Sequence, residues 1–493
     1  MAKSDLDDTT KIVVCGSISG DWPPVRVVMS GIGARMVGVI TPSGRHPARA
    51  VLVGFALFIL IGALVLMLPA ATSSGQSTDF SIALFTATSA ACVTGLAVVD
   101  TGHYWSAIGQ AVLLVLIQMG GIGIITVASL LGLLVSRRFS MGMQSSMQSE
   151  LRGIGPRDVR RVVRRIFMLT IVIETVLAVM LTVRFAATYR QPLGEAVYSG
   201  IYHAVSAFAG AGFSLHSQSL ASYSGDPWIV LPIGVVGFVA GIGFPVLFEI
   251  ARRQHHLIRS ARSPRRNPHR WTLHTKLTLL VSLVLLGAAF AFVLAFEWSN
   301  PDSLGPMGVG EKVLAAFFSS AMLRSVGLTV FDVDALRPES MVLFEMMMFI
   351  GGGSASTAGG IKVTTFAVLG FIILAEVRGE PTVHVLGRQL PAMVQRQALT
   401  IALLSVGLVM TATVLLLMLT EHPLDRILFE VTSAFGTVGL SAGITADLPV
   451  VGELVLVVLM FVGRLGTITA ATALALRERR RRYELPEERP IVG

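Results

Sequence analysis

The stretch Ser89-Ala90-Ala91-Cys92-Val93-Thr94-Gly95-Leu96 sets small and hydroxylated residues ahead of a glycine that is followed at once by an apolar side chain. The pattern returns in Ser206-Ala207-Phe208-Ala209-Gly210-Ala211-Gly212-Phe213, in Ala321-Met322-Leu323-Arg324-Ser325-Val326-Gly327-Leu328 and in Ser433-Ala434-Phe435-Gly436-Thr437-Val438-Gly439-Leu440. The four glycines, Gly95, Gly212, Gly327 and Gly439, lie 117, 115 and 112 residues apart, and self-similarity at so constant a period indicates a repeated structural unit. Each stretch closes an apolar segment, from Phe80, Glu195, Glu311 and Asp425, of about a dozen residues; a bilayer-crossing helix takes about 20. Each therefore reads as a short re-entrant helix ending in a glycine turn.

Longer uncharged runs flank these segments: Val51 to Leu68, Gln110 to Val135, Ile166 to Val183, Trp228 to Phe248, Leu277 to Phe296, a broken run from Met341 to Leu374, Leu399 to Leu419, and Val451 to Leu476. They read as eight spans, and the unit is span, short helix, span. The sequence thus predicts an all-α polytopic membrane protein with four pseudo-symmetric repeats around a central pore. Its divisions are a leader (1–47), repeats over 48–138, 139–252, 253–378 and 379–476, and an Arg-rich tail (477–493). The composition agrees: 53% hydrophobic residues, 14% charged and a mean hydropathy of +0.72 exclude a soluble globular protein. Cys15 and Cys92 are too few for a disulfide framework, and no His or Cys spacing suits a transition metal.

Positive charge sets the orientation. Of the 39 Lys and Arg residues, 31 fall before Val51 or in Arg137–Arg165, Arg252–Lys276, Arg378–Arg396 and Arg477–Arg489, which are alternate connections and so lie on one side. That side, with both termini, is expected to be cytoplasmic, and the re-entrant segments open outward. The net charge of +9 then reports topology rather than nucleic-acid binding. The Arg-dense stretches also suit anionic lipid head groups or an acidic cytosolic partner. The leader reads as neither a cleaved signal peptide nor a compact domain.

A second landmark recurs in the following spans: Gly120-Gly121-Ile122-Gly123, Ala240-Gly241-Ile242-Gly243, Gly359-Gly360-Ile361-Lys362 and Gly463-Arg464-Leu465-Gly466. In the third unit the run Gly351-Gly352-Gly353-Ser354-Ala355-Ser356-Thr357-Ala358-Gly359-Gly360 interrupts the span itself. So dense a Gly/Ser/Thr stretch cannot face lipid as a helix; it must be covered by protein or line water. Four short helices converging on an axis would bring their glycine turns together. Rings of backbone carbonyls there can replace the hydration shell of an alkali cation, and glycine permits both the backbone angles and the close approach. The expected ligands are backbone groups of Val93, Thr94 and Gly95, of Gly210, Ala211 and Gly212, of Ser325, Val326 and Gly327, and of Thr437, Val438 and Gly439. The plainer reading of any one such turn is tight re-entrant packing.

Arg464 and Lys362 stand in the landmark where glycines stand elsewhere, and an ionisable side chain inside the membrane points to function. Two readings apply to each: a positive barrier beneath the filter, or a bond that holds the inserted loop. Arg324 is expected to brace the third turn. Glu174, Glu249 and Glu345 read as helix-end or locally paired carboxylates.

The residues Thr88 to Leu96 with Val99-Asp100-Thr101, Ile117-Gln118-Met119 before the first landmark, the stretch Gly351 to Lys362 and Gly463-Arg464-Leu465-Gly466 resemble the membrane subunit of Ktr potassium-uptake systems in the Trk/Ktr/HKT superfamily, over Val51 to about Leu476. The resemblance implies a potassium filter with one key glycine per repeat and a gating loop at Gly351 to Gly360. It also implies a homodimer of pores in the plasma membrane, a cytosolic ring of nucleotide-binding regulatory subunits, and potassium uptake promoted by sodium, with no organic cofactor and no enzymatic activity. Sodium-preferring plant relatives carry Ser at the first filter position, so Gly95 argues for potassium. Ser325-Val326-Gly327-Leu328 departs from the more usual Thr-Ala-Gly-Phe. The alternatives are a sodium or non-selective cation transporter, or a solute transporter with a site at the broken span.

Overall fold

Apolar runs of helix-forming residues, cut by Pro, Gly and capping side chains, set the element boundaries. The computed structural model describes residues 47–123, 156–260 and 271–476. In chain order these form α1 (Pro47–Leu66), α2 (Phe80–Cys92), α3 (Ala107–Gly123), α4 (Pro156–Thr188), α5 (Leu193–Ala209), α6 (Pro227–Ile242), α7 (Phe244–Ser260) and α8 (Leu273–Glu297). There follow α9 (Val309–Met322), α10 (Pro338–Phe349), α11 (Val363–Val377), α12 (Ala392–Leu419), α13 (Leu424–Gly436) and α14 (Val450–Leu476). A two-residue hairpin, β1 (His384–Val385) and β2 (Arg388–Gln389), joins α11 to α12. The leader, the Arg-rich tail, the end of the run from Gln110 to Val135 and much of the basic connections lie outside the described residues.

Helix starts follow local chemistry. Asp226 accepts the Trp228 N–H (3.0 Å) ahead of Pro227, the first residue of α6, and Thr272 Oγ1 accepts the Thr275 N–H (3.2 Å) at α8. By length and apolarity three described helices can cross a bilayer unaided: Val163–Thr188 within α4, α8 and α12. Their outer faces leave Val176, Val179, Leu283 and Leu403 exposed, which suits a hydrocarbon surround.

The run Trp228 to Phe248, expected as one continuous span, is broken. Gly243 takes φ +102° and α6 meets α7 at a bend of 101°. The cause is distant in sequence: Gly353 donates its N–H to Gly241 O (2.8 Å) and Phe244 donates to Ala355 O (3.3 Å), so the inserted Gly/Ser/Thr stretch takes over backbone groups that a continuous helix would pair internally. That stretch itself separates α10 from α11, and a parallel bridge of Ile350 with Ile361 draws its ends together.

The short helices sit inside the bundle: α2 packs on α14, α9 on α6, and α13 on α10. Two buried apolar clusters hold them. One joins α4, α5, α6, α8, α9 and α10 through residues such as Phe185, Ile233, Phe318 and Phe344. The other joins α1, α2, α3, α12, α13 and α14 through Phe85, Ile117, Leu416 and Phe435. The landmark glycines explain part of this packing: a side chain at Gly120 would strike Ala91 O, and one at Gly463 would strike Phe435 O.

Candidate functional site

Where α2, α5 and α13 end, the next residue adopts the left-handed conformation: Val93 (φ +56°), Gly210 (φ +79°) and Thr437 (φ +48°). The reversal is secured by Thr94 N–H to Ser89 O (2.8 Å), Ala211 N–H to Ser206 O (2.7 Å) and Val438 N–H to Ser433 O (3.0 Å). Val93 and Thr437 are β-branched, a residue class that rarely takes positive φ, so the fold imposes this geometry on them. After α9 the chain turns differently: Leu323 remains right-handed (φ −52°), and Ser325 and Val326 both donate to Met322 O (3.2 and 3.1 Å). The four routes then agree, with Gly95, Gly212, Gly327 and Gly439 at φ +98°, +70°, +65° and +92°.

These glycines touch one another in a closed circuit. A Cβ at Gly95 would strike Ala211 O, one at Gly212 would lie 2.6 Å from Val326 O, one at Gly327 would strike Val438 O, and one at Gly439 would strike Thr94 O. Each turn thus sets a carbonyl against the glycine of a neighbouring turn, first on fourth, second on first, third on second and fourth on third. Only glycine allows that approach.

Hydroxyls brace the circuit. Ser89 Oγ accepts the Gly95 N–H (3.0 Å), Ser433 Oγ accepts the Gly439 N–H (3.1 Å), and Ser206 Oγ donates to Phe213 O (2.7 Å). The third stretch has Ala321 in that place; there the buried Arg324 donates from Nη2 to Ser282 O (2.8 Å) on α8 and lies over the Phe238 ring. A second tier holds the chain beyond two of the glycines. Glu430, fully buried, accepts from Ser441 Oγ, from the Ala442 N–H (3.0 Å) and from Thr445 Oγ1 (3.0 Å). His203, at the matching place in the second stretch, bonds Ser214 Oγ through Nε2 (3.1 Å). Sequence reading missed Glu430 and His203. The signal was a polar residue nine positions before Gly439 and Gly212 paired with a serine two positions after.

On one side of the circuit lies a cavity of about 610 Å³, lined by all four glycines together with Asp100, His216, Ser217, Thr329 and Asp332. Burial tends to raise the Asp100 pKa, but hydrogen bonds from Ser217, His103 and the backbone N–H groups of His103 and Gly102 outweigh it and hold the carboxyl below its ordinary value. Burial lowers that of His216. Ionised Asp100 therefore gives the cavity a negative bias that concentrates cations.

Against the circuit also packs the inserted stretch. Gly351, Gly352, Gly353, Ser356, Thr357, Ala358, Gly359 and Gly360 are buried, while Ser354 is half-buried and bonds Thr364 Oγ1 (3.1 Å). Its irregular backbone is therefore covered by protein. Arg464, 2% exposed, donates from Nη1 to Thr357 O; its Nε and Nη2 have no partner among the described residues. Lys362 donates to Ala358 O (2.5 Å) and Gly359 O (3.4 Å). Thr357 Oγ1 lies 3.4 Å from Ser325 Oγ, and a side chain at Gly359 would strike Thr437 Oγ1. The predicted site residues therefore fall in the circuit, in the stretch beside it or, as with Arg464 on α14 and Lys362, in hydrogen-bond contact with that stretch. Glu174 and Glu249 lie apart from both, pairing with Gln118 (2.9 Å) and with Thr272 and Thr275.

Comparison with known proteins bears on this arrangement. The family model for TrkH, a cation transport protein, matches residues 45–482. The Ktr system potassium uptake protein B of Bacillus subtilis is 36% identical, over 88% of this chain and 94% of the relative. The potassium/sodium uptake protein NtpJ of Enterococcus hirae is 32% identical, over 91% and 97%. The crystal structure of the potassium transporter TrkH from Vibrio parahaemolyticus superposes with a TM-score of 0.66 at 19% identity, covering 88% of this chain and 87% of that one.

Proposed function

The chain belongs to the TrkH family of membrane cation transport proteins, which are not enzymes, and from that premise we propose that it takes potassium into the cell through a pore whose filter is the circuit of four glycine turns. The observation that carries this reading is the circuit itself, lying at the floor of a cavity of about 610 Å³ that also holds Asp100 and Asp332. Cations gathered in that cavity meet main-chain oxygens of Val93 to Gly95, Gly210 to Gly212, Ser325 to Gly327 and Thr437 to Gly439. These replace lost hydration without a fixed charge that would trap the ion. The four short helices direct their partially negative C-terminal ends at the same place, which favours cations over anions.

The inserted stretch from Gly351 to Gly360 lies across the inward path and serves as the gate. Arg464 and Lys362 hold it by its carbonyls and add positive charge below the filter, so the structural bond and the barrier are two effects of the same side chains. In this reading the chain is organised as four repeats and eight spans, with both termini in the cytoplasm. The relatives' designation as parts of a Ktr system favours a regulatory subunit on that side, and a homodimer is the assembly that the resemblance supplies. Sodium transport is the second reading, favoured by the potassium/sodium designation of the Enterococcus hirae relative.

Uptake of rubidium and sodium by cells lacking their own potassium uptake, carrying Gly95→Ser, Gly212→Ser, Gly327→Ser or Gly439→Ser, tests the filter. Each added side chain meets a neighbouring backbone oxygen, so potassium affinity or selectivity should fall in every variant that reaches the membrane. Unchanged affinity and selectivity in all four sinks the assignment.

A further inference from the structure

We propose that the groove between α6, α8 and α9 binds one aminophospholipid, with an acyl chain lying in the groove and the ammonium group meeting Glu311. The groove holds about 720 Å³ and is lined by Leu231 of α6, by Leu283, Gly287 and Phe290 of α8, and by Leu314 and Phe317 of α9. Small-molecule sites span about 300–1,000 Å³. Glu311 is the one charged residue in the lining, so water would find too few polar partners there. By length and apolarity α8 can cross a bilayer, and Leu231, Leu283 and Val313 are exposed along the groove. The medium it opens to is therefore lipid.

The polar end of the groove selects the headgroup. There α6 begins at Pro227 and α9 at Val309, and Gly225 and Gly310 line the groove beside Glu311. Trp228 precedes the groove residues of α6, and Trp298 follows α8; they are 63% and 40% exposed. Exposed tryptophans mark the level at which hydrocarbon gives way to headgroups. Glu311 Oε2 accepts the Gly308 N–H (3.2 Å) and caps α9, while Oε1 lies where a Cβ at Gly225 would strike it. The adjacent base is engaged elsewhere: Lys312 Nζ donates to Trp298 O (2.8 Å) and stands 4.9 Å from the centre of the Trp298 ring. Glu311 is thus the charge that a bound headgroup meets. It attracts an ammonium group and repels an anionic glycerol lipid.

The groove also borders the third glycine turn's support. Arg324 bonds Ser282 O on α8, one residue from Leu283 in the groove wall, and on α9 Phe317 lines the groove while Phe318 packs into the buried core. A chain in the groove fills the space beside the α8–α9 contact that braces this turn. Hydrocarbon is as apolar as leucine, so burial alone favours no particular lipid; packing and headgroup charge make the choice. Gly287 keeps the groove open, since a Cβ there meets nothing within 4 Å and a larger side chain has room.

Native mass spectrometry of the delipidated full-length protein tests the site. Wild type, Gly287→Phe and Glu311→Gln are titrated with palmitoyl-oleoyl phosphatidylethanolamine or with the phosphatidylglycerol of the same chains. Wild type should bind one ethanolamine lipid per chain about two- to fivefold more tightly than the glycerol lipid, the size of one surface charge contact, and should gain thermal stability from it. Glu311→Gln keeps the α9 cap, because glutamine also accepts in that place, and should bind the two lipids equally. Gly287→Phe should fold and lose the tightly bound lipid of either kind; should it not fold, the Glu311→Gln comparison decides. Equal affinities in the wild type, or a preference that survives Glu311→Gln, overturn the proposal. So does a folded Gly287→Phe protein that binds the ethanolamine lipid as wild type does, or one that changes only the number of copies in the assembly, which would make the groove a contact between protomers.

Discussion

The first and fourth turns are built alike and the third is not. In the first and fourth, a left-handed β-branched residue follows the helix and a serine hydroxyl accepts the glycine N–H, at 3.0 and 3.1 Å. The third has no serine there and no left-handed cap; it hangs from Arg324, whose guanidinium reaches across to α8. Yet all four glycines arrive at positive φ and close one circuit. The same end point is reached by self-contained bracing in two turns and by bracing from a neighbouring helix in the third. Both the third turn, through Ser325, and the fourth, through Thr437, touch the inserted stretch, but only the third lacks its own serine brace. A turn braced from outside can respond to movement beside it.

The largest effect expected from breaking this contrast is at the fourth turn. Glu430→Ala removes the acceptor shared by the Ser441 hydroxyl, the buried Ala442 N–H and the buried Thr445 hydroxyl, and should cost about 3 kcal/mol, read as a loss of thermal stability in the purified protein. Glu430→Gln, which keeps one acceptor oxygen, should lose less than half of that. If Ala and Gln behaved alike, hydrogen bonding would not be what Glu430 contributes.

At the third turn, Arg324→Met keeps the apolar stem but deletes the charged donor to Ser282 O and should cost about 1.5–3 kcal/mol. It should also change the rubidium-to-sodium uptake ratio, since Arg324 takes the place of the serine brace that the other turns carry. An unchanged ratio would mean that the turn holds its shape without α8.

Ser89→Ala and Ser433→Ala should each cost about 1 kcal/mol by removing the acceptor of a half-buried glycine N–H, and the two losses should be equal within error. Clearly unequal losses would end the claim that these turns are equivalent. The smallest effect lies in the outer cavity. The carboxyl of Asp100 is held below its ordinary value of 3.8, so its contribution to stability is present above that value and disappears as pH falls through the lower folded-state value. Acid titration of Asp100→Asn should lack that component, and an acid-unfolding curve identical to wild type would remove it.

Much of the site was legible because it depends on short-range pattern. The four glycine stretches, the Gly351 to Gly360 interruption and the anomalous Arg464 and Lys362 are each visible in a few consecutive residues. Ser89, Ser206 and Ser433 stood in those stretches without their role being readable, since a serine six or seven residues before its partner in sequence carries no signal until the turn brings the two together. Glu430 and His203 escaped for the same reason. The run from Trp228 to Phe248 misled because its own residues form a good apolar helix; it breaks because residues 353 and 355 bond to it.

The sequence by itself determined that the chain is a membrane protein of apolar helices with four glycine turns and one irregular Gly/Ser/Thr stretch. Hydrophobicity, charge and backbone freedom are properties of local composition. Only the tertiary structure decided which turn meets which, that the circuit closes, and that Arg464 bonds Thr357 across 107 residues of chain. Such contacts depend on how helices pack, and packing is settled by the fit of whole surfaces rather than by any short run of residues.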